Sequence, residues 1–238
     1  MIEALTVKGS FRGFSGHDRH VREFARGMSQ HGVQLQLVDF SNWAPGKLTG
    51  EKYEFWFDTL GRPVDSKMVL HFCMPHQVQM AGGKMNINFT MFEATRIPPK
   101  WVKLNSQHDL VILPTSACEQ AWVESGFAPE KIRLCPLGVN PDLFHPDAKP
   151  TEIVNENGNG VHEYGVRFLN VSDLTPRKNL LSLVRVWLRA TSREDDAALM
   201  IKLSCGMEEW LSQFLSDVKK MEARIGKTRK AAAPLVLL

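Results

Sequence analysis

This sequence predicts an α/β fold, a doubly wound parallel sheet followed by the start of a second sheet of the same kind, and three observations carry the prediction. The N-terminus reads strand, glycine-bearing turn, helix, in that order. Strands and helices then alternate as far as residue 135. The same pattern restarts after a polar stretch at 147–165.

Residues 3–7 form the first predicted strand. The turn Gly9-Ser10-Phe11-Arg12-Gly13-Phe14-Ser15-Gly16 follows, and then a helix to about residue 30. Val21, Phe24, Ala25 and Met28 recur there at helical spacing, Arg19, Arg22 and Arg26 lie off that face, and Gly32 stands where the helix stops. Residues 33–38 alternate as a second strand, and 68–73 and 86–91 read as core strands. Residues 41–66 carry no clear pattern. Residues 109–113 are a buried strand, Ser116 with Glu119 reads as a capping box for a helix ending near Gly126, and 132–135 supply another strand. Beyond the polar stretch come a strand at 166–171, a helix at 180–190, a strand at 198–204, an amphipathic helix at 208–225 and a third strand at 234–238. The expected organisation is a domain at 1–146, a linker or polar loop at 147–165, and an incomplete second domain at 166–238. A parallel-sheet strand with no helix after it is not a natural stopping point, so a truncated chain is expected.

Composition narrows the function classes. With 43% hydrophobic and 23% charged residues and a mean hydropathy of −0.21, the chain has the make-up of a globular protein, which excludes disorder as its main state. No apolar run approaches the ~20 residues needed to span a bilayer, and Met1-Ile2-Glu3 lacks the basic start of a signal peptide. The four cysteines, at 73, 118, 135 and 205, show no C-x-x-C pair and sit in apolar contexts, as buried free thiols of a reducing compartment do. A cytoplasmic protein without a transmembrane segment is expected. A net charge of +3 is too small and too dispersed for a nucleic-acid footprint, whereas a small anionic ligand stays open.

Several residues stand where α/β sheets bind ligands, beyond the carboxyl ends of strands. The turn from Gly9 to Gly16 offers backbone N–H groups at a helix start, which suits a phosphate, but its G-x-x-x-G-x-x-G spacing equally suits a plain strand-to-helix turn. Thr175-Pro176-Arg177-Lys178-Asn179 again joins strand to helix. Its adjacent cations fit either a diphosphate or a solvated, proline-initiated helix start. Gly138, in Pro136-Leu137-Gly138-Val139-Asn140, admits close ligand approach or makes a turn. His76 and Glu93 follow the third and fourth strands; each could polarise an acceptor hydroxyl or serve as a structural hydrogen-bonding residue. His17 and His20 occupy similar ground near the first helix start, with a helix-surface reading for His20. Lys219, Lys220, Arg224, Lys227, Arg229 and Lys230 read as a solvated face, with a membrane or nucleic-acid patch as the alternative. Metal-ligand, P-loop and G-x-S-x-G patterns are absent.

Taken together, three segments resemble glycosyltransferase family 4 of the GT-B class. Gly16-His17-Asp18-Arg19-His20-Val21-Arg22-Glu23-Phe24 is similar to the family's glycine turn and first helix. Residues 109–146, DLVILPTSACEQAWVESGFAPEKIRLCPLGVNPDLFHP, are similar to its strand, "P-S" helix and P-x-G-V-[ND]-x-x-x-F-x-P signature. Residues 168–181, FLNVSDLTPRKNLL, resemble its strand and P-R-K-[GN] donor loop.

The resemblance implies a GT-B enzyme of two Rossmann-like lobes. Such a retaining hexosyltransferase moves sugar from a nucleoside diphosphate donor to a carbohydrate or glycolipid acceptor, with no cofactor and no metal. The N-terminal lobe would hold the acceptor and the C-terminal lobe the nucleotide. Lys178 matches the family lysine on the donor diphosphate, Gly16 the turn glycine near the same phosphates, and Gly138 lies in the signature at the family's cleft. Two departures stand out. Ser172-Asp173 replaces the usual Gly-Arg, so Arg177 becomes the substitute cation, and the family's E-x7-E segment would lie beyond Leu238. The expectation is a glycosyltransferase that is inactive as this fragment alone. The competing expectation is a non-catalytic binding or interaction protein on a degraded glycosyltransferase fold. A nicotinamide-dependent oxidoreductase would need a G-x-G-x-x-G that is not there.

Overall fold

The structure, a computed structural model, describes residues 2–13, 15–40, 59–149, 151–155, 158–204 and 208–238. Most of the unpatterned 41–66 stretch, and Cys205, lie outside them. The chain divides into two compact units, Met1–Asn140 and Pro141–Leu238.

The N-terminal unit is built from β1 (Ala4–Gly9), α1 (Gly16–Gln30), β2 (Gln34–Asp39), β3 (Met68–Phe72), β4 (Met85–Phe89), α2 (Pro99–Asn105), β5 (Leu110–Leu113), α3 (Ser116–Glu124) and β6 (Ile132–Leu134). Its six strands are all parallel, in the order β2-β1-β3-β4-β5-β6. The chain steps from β1 outward to β2 and then returns to β3, so the switch point falls between β1 and β3, where open α/β sheets bind ligands. Helix α1 lies on the sheet through the predicted stripe: Val21 and Ala25 are fully buried, with Phe24 and Met28 beside them against Val7, Leu37 and Phe72. Each fully buried aliphatic side chain of this cluster contributes about 1.5–3 kcal/mol of transfer free energy. A second cluster joins Trp122 and Ala121 of α3 to Val111, Leu113 and Ile132.

Three details differ from the sequence reading. Helix α3 is capped by Thr115, whose hydroxyl accepts from the Cys118 N–H at 3.2 Å, so Ser116 is its first helical residue and the Ser116–Glu119 box does not form. The Ser-x-x-acid box forms instead at α1, between Ser15 and Asp18. Helix α2 has no counterpart among the elements expected from the sequence; Pro99 sits in its first turn, where a missing N–H costs nothing. Of the described cysteines all are free, but Cys73 alone is fully buried, which pushes its thiol up to about 12, while Cys118 and Cys135 are half-buried.

The C-terminal unit contains β7 (Val166–Asp173), α4 (Leu180–Ala190), β8 (Ala197–Ser204), α5 (Glu208–Ile225) and β9 (Leu235–Leu237), with a parallel sheet ordered β7-β8-β9. Its core is Leu180, Val184 and Leu188 of α4 with Leu199, Ile201, Phe214 and Val218. The Trp187 indole N–H donates to the Ala233 carbonyl at 2.9 Å, tying α4 to the approach to β9. Residues ahead of β7 fold with this unit: Val161 is buried, and the Asn155 side-chain amide donates to the Tyr164 hydroxyl at 2.9 Å. Among the described residues no helix is long and apolar enough to cross a membrane.

Candidate functional site

The β1–α1 turn stands at the switch point, and its interior is filled by the protein's own carboxylate. Asp18 is fully buried. It accepts from the Ser10 hydroxyl, the Ser15 hydroxyl and, at 2.8 Å, the Ser15 N–H. Arg22 closes the turn from outside, donating to the Phe11 and Gly13 carbonyls at 2.8 and 2.7 Å. Two glycines are sterically required. A Cβ on Gly13 would collide with the Asp18 carboxylate, and one on Gly9 would lie 2.8 Å from a methyl of Val21. Gly16 is exposed, with open space around the position of a Cβ. The turn therefore leaves room at Gly16 for a neighbour while an internal anion organises the rest.

His17 and His20 of α1 both pack edge-on against Phe72, at the carboxyl end of β3, and His20 also against Phe89, at the end of β4. Burial lowers the pKa of both; for His17 the Asp18 carboxylate opposes the shift, and His20 is driven to about 4 with His17 adding to it. His20 is thus part of the packing, and both imidazoles are neutral at pH 7.

His76 sits exposed in the turn after β3, and Glu93 exposed in the irregular segment after β4. The adjacent strands bring their loops to one indole: His76 stacks on Trp101 of α2 at 4.9 Å, and Phe92, next to Glu93, meets the same ring edge-on at 4.9 Å. A buried relay fixes this arrangement. The Asn88 amide donates to Asn105 at 2.7 Å, and Asn105 donates to the Pro75 and Trp101 carbonyls, each at 2.8 Å. Trp101, Asn88 and Asn105 escaped the sequence reading because their partners lie on three separate elements. Deeper in the unit, His71 and His108 are wholly buried, with ring centroids 5.3 Å apart. His71 Nδ1 lacks a hydrogen-bond partner. Burial lowers both pKa values, that of His108 to about 4 with His71 adding to it.

Gly138 lies in the irregular stretch after β6, with no turn there, no crowding at a Cβ and exposed Leu137 and Val139 on either side. In the C-terminal unit, Arg177 and Lys178 are exposed in a single turn of 3-10 helix, Pro176–Lys178, at the carboxyl end of β7. Asn179 ends that turn at φ 51°, ψ 39° and opens α4; among the described residues no other non-glycine has positive φ. Glycine occupies this conformation without steric cost and asparagine at a lower cost than other residues, which accounts for the residue type after the lysine. Asp173, the last residue of β7, is exposed. The basic stretch on α5 and beyond is partly engaged within the unit: Lys220 meets Asp217 at 3.1 Å, Arg229 meets Glu222 at 3.3 Å, and Lys227 donates to the Thr191 carbonyl. Among the described residues no group of three His, Cys, Asp or Glu is placed to hold a metal ion.

This architecture resembles the Rossmann-like domains of GT-B glycosyltransferases. HepE of Anabaena, solved in complex with UDP and glucose, matches with a TM-score of 0.53 and 8% identity over 99% of this chain and 69% of its own. The trehalose-6-phosphate protein from E. coli bound with UDP-2-fluoro glucose matches with a TM-score of 0.59 and 10% identity over 99% of this chain and 73% of its own. A glycosyltransferase from Rickettsia africae ESF-5 matches with a TM-score of 0.60 and 13% identity over 100% and 68%. At such identities the likeness is one of fold. No protein-family model and no curated protein matches the sequence.

Proposed function

We propose that this chain is the acceptor-side domain and the first part of the donor-side domain of a retaining, family 4-type glycosyltransferase. It acts in the cytoplasm on a nucleoside diphosphate sugar, with a carbohydrate or glycolipid acceptor reached by at most peripheral membrane contact. The observation that carries this reading is the exposed Arg177–Lys178 pair at the carboxyl end of β7, within a fold shared with nucleotide-sugar enzymes. Uridine diphosphate is the favoured leaving group, since UDP or a UDP-sugar occupies two of the similar structures.

In this reading the Lys178 ammonium meets the donor diphosphate as the glycosidic bond breaks and negative charge grows on the leaving oxygen. Its attraction is then larger in the transition state than in the ground state. Arg177 supplies the second cation, which the resemblance would have put at Asp173. These fixed charges neutralise the leaving group without a metal or cofactor. On the N-terminal unit Gly16 and Gly138 leave backbone open to ligand approach, and His76 or Glu93 orients the acceptor hydroxyl. Because this fragment is expected to be inactive alone, incubation of a chain extended beyond Leu238 with radiolabelled UDP-glucose, GDP-mannose and ADP-glucose, reading transfer, hydrolysis and calorimetric binding, tests it. Failure to bind any of the three overturns the donor assignment.

A second reading, a binding protein without transfer, is favoured by one observation: Asp173 presents a carboxylate where a donor-binding cation is expected. Binding of a nucleotide sugar with neither transfer nor hydrolysis in a chain extended beyond Leu238 would select it.

A further inference from the structure

A single buried amide holds both members of the stacked pair His76 and Trp101. Asn105, the last residue of α2, is wholly buried. Its side-chain N–H groups donate to the Pro75 and Trp101 carbonyls, each at 2.8 Å, and its oxygen accepts from the Asn88 amide at 2.7 Å. Pro75 directly precedes His76, and Trp101 carries the ring on which the imidazole stacks, with the two planes at 30°. Both ends of the stack are thus pinned through backbone carbonyls to one side chain, which is itself pinned to β4.

Stability alone is a poor reason for this arrangement. Helix α2 has only seven residues, and its N-cap, Pro98, makes no side-chain cap, so tertiary contacts must hold it in place. Apolar packing supplies such contacts without desolvating polar groups, whereas a buried amide repays its desolvation only where every group is satisfied. Here one is not: Asn88 Oδ1 is buried without a partner among the described residues. The relay is kept at a cost, and what it fixes beyond the fold is the place of His76. Glu93, the other residue placed to meet an acceptor, has nothing comparable. It is exposed, and its carboxylate makes no hydrogen bond or ion pair among the described residues.

We propose that Asn105 is a positioning residue of the acceptor side, holding His76 on Trp101 so that the imidazole, and not the Glu93 carboxylate, meets the acceptor hydroxyl. The proposal rests on the glycosyltransferase reading of the chain. An imidazole free on an exposed turn samples several rotamers, whereas one stacked on an anchored indole presents its edge, where both ring nitrogens lie, in a fixed direction. The indole is anchored twice, by its own carbonyl on Asn105 and by the Phe92 ring against it. Misplacing a reacting partner by about 1 Å costs on the order of 10²-fold in rate, so the relay acts on turnover more than on acceptor affinity.

NMR of the His76 ring in the 238-residue chain, assigned by its loss in His76→Gln, reads the stack directly, because ring protons over an indole resonate upfield of those of a free imidazole. Asn105→Ala is expected to move them to the free position. Trp101→Leu, which leaves the amide relay in place, does the same and carries the test should Asn105→Ala fail to fold. Asn86→Ala removes another buried amide, bonded to Ala81 and Lys84 and not to the His76 turn, and leaves the ring signal where it is. In a chain extended beyond Leu238, at a temperature where circular dichroism shows each variant folded, Asn105→Ala lowers kcat about 10–100-fold with the acceptor KM within about twofold, and Asn86→Ala does not. His76→Gln lowers kcat further than Glu93→Gln. A ring signal unmoved by Asn105→Ala and Trp101→Leu overturns the proposal, as does a loss confined to KM, a rate that falls no further than in Asn86→Ala, or a greater loss for Glu93→Gln than for His76→Gln. A parent chain that transfers nothing removes the glycosyltransferase reading instead, and the ring signal then still decides whether Asn105 holds His76.

Discussion

The two units open the same way, strand, turn, helix, and their turns treat charge in opposite senses. After β1 the turn encloses Asp18, a buried carboxylate that takes the Ser10 and Ser15 donors, and Arg22 is spent on the turn's own carbonyls. After β7 the turn encloses nothing of the kind and holds Arg177 and Lys178 out to solvent. A helix start favours an anion in both places. In the first the anion is covalently part of the chain; in the second, on the proposed function, it would be the donor diphosphate. Equivalent topology therefore does not mean equivalent function, and the difference lies in which side chains stand in the turn.

The sharpest way to break this comparison is to remove the cation. Lys178→Ala is expected to lower turnover by ~10²–10³, equivalent to ~2.7–4 kcal/mol, by analogy with preorganised oxyanion donors. Initial rates with the preferred nucleotide sugar measure it, in the shortest chain that shows transfer. Lys220→Ala, on a lysine already facing Asp217, should leave the rate unchanged. Equal rates for both variants would make the β7–α4 turn a scaffold like its counterpart.

The converse test removes the built-in anion. Asp18→Ala strips three donor groups of their acceptor and dissolves the capping box of α1, at an expected loss of about 3 kcal/mol in urea unfolding followed by circular dichroism. Asp18→Asn keeps the shape and one acceptor oxygen, so it should cost less. A loss below about 0.5 kcal/mol for Asp18→Ala, the level of an ordinary surface change, would mean that the turn does not depend on its carboxylate.

How much of this was legible in the sequence follows from the range of the interactions. The strands and long helices were readable because their signal is local periodicity: Val21, Phe24, Ala25 and Met28 announce the buried face of α1 by spacing alone. The cap of α3 was misread by one residue, since Thr115 and Ser116 are both good caps and only backbone geometry chooses between them. The residues around His76 could be nominated but not assembled. Only Trp101 and Asn105 are neighbours in sequence; Asn88 and Pro75 meet them because β4, α2 and the loop after β3 converge. Asp18 had a local signature, Ser15-x-x-Asp18, but it lay inside a turn read for its glycines.

Acid should separate the units, because the histidines whose protonation burial suppresses, His17, His20, His71 and His108, all belong to the N-terminal one. Their folded pKa values lie below the unfolded value of about 6.5, so as pH falls the unfolded chain binds protons first. The stability these groups leave intact is fully present above pH 6.5 and is lost as pH falls through the folded values, about 4 for His108. For His108 burial drives this loss, with Asp109 and a hydrogen bond to the Leu104 backbone opposing it and His71 and Lys131 adding to it. Hydrogen exchange at pH 7 and pH 4.5 should show β3 to β5 loosening before β7 and β8, and His108→Leu should flatten the acid limb. Simultaneous loosening of both units, unaltered by His108→Leu, would remove the histidines as its cause.

The smallest expected effect tests whether the β7–α4 turn is shaped for its cations or merely tolerates them. Asn179 holds a left-handed conformation, and its carbonyl accepts from the Ser182 and Leu183 N–H groups at 3.1 and 3.2 Å, starting α4. Alanine pays a steric penalty at positive φ that asparagine largely avoids and glycine escapes. Asn179→Ala is therefore expected to weaken the first turn of α4 by about 1 kcal/mol, raising exchange at the Ser182 and Leu183 amides about fivefold. Asn179→Gly should change it by less than about twofold, because the gain in steric freedom is offset by the greater entropy glycine loses on folding. If Lys178 depends on this geometry, nucleotide affinity will fall for Asn179→Ala and survive in Asn179→Gly. The reverse ranking would show that the asparagine side chain, and not the backbone conformation it permits, holds the turn in place.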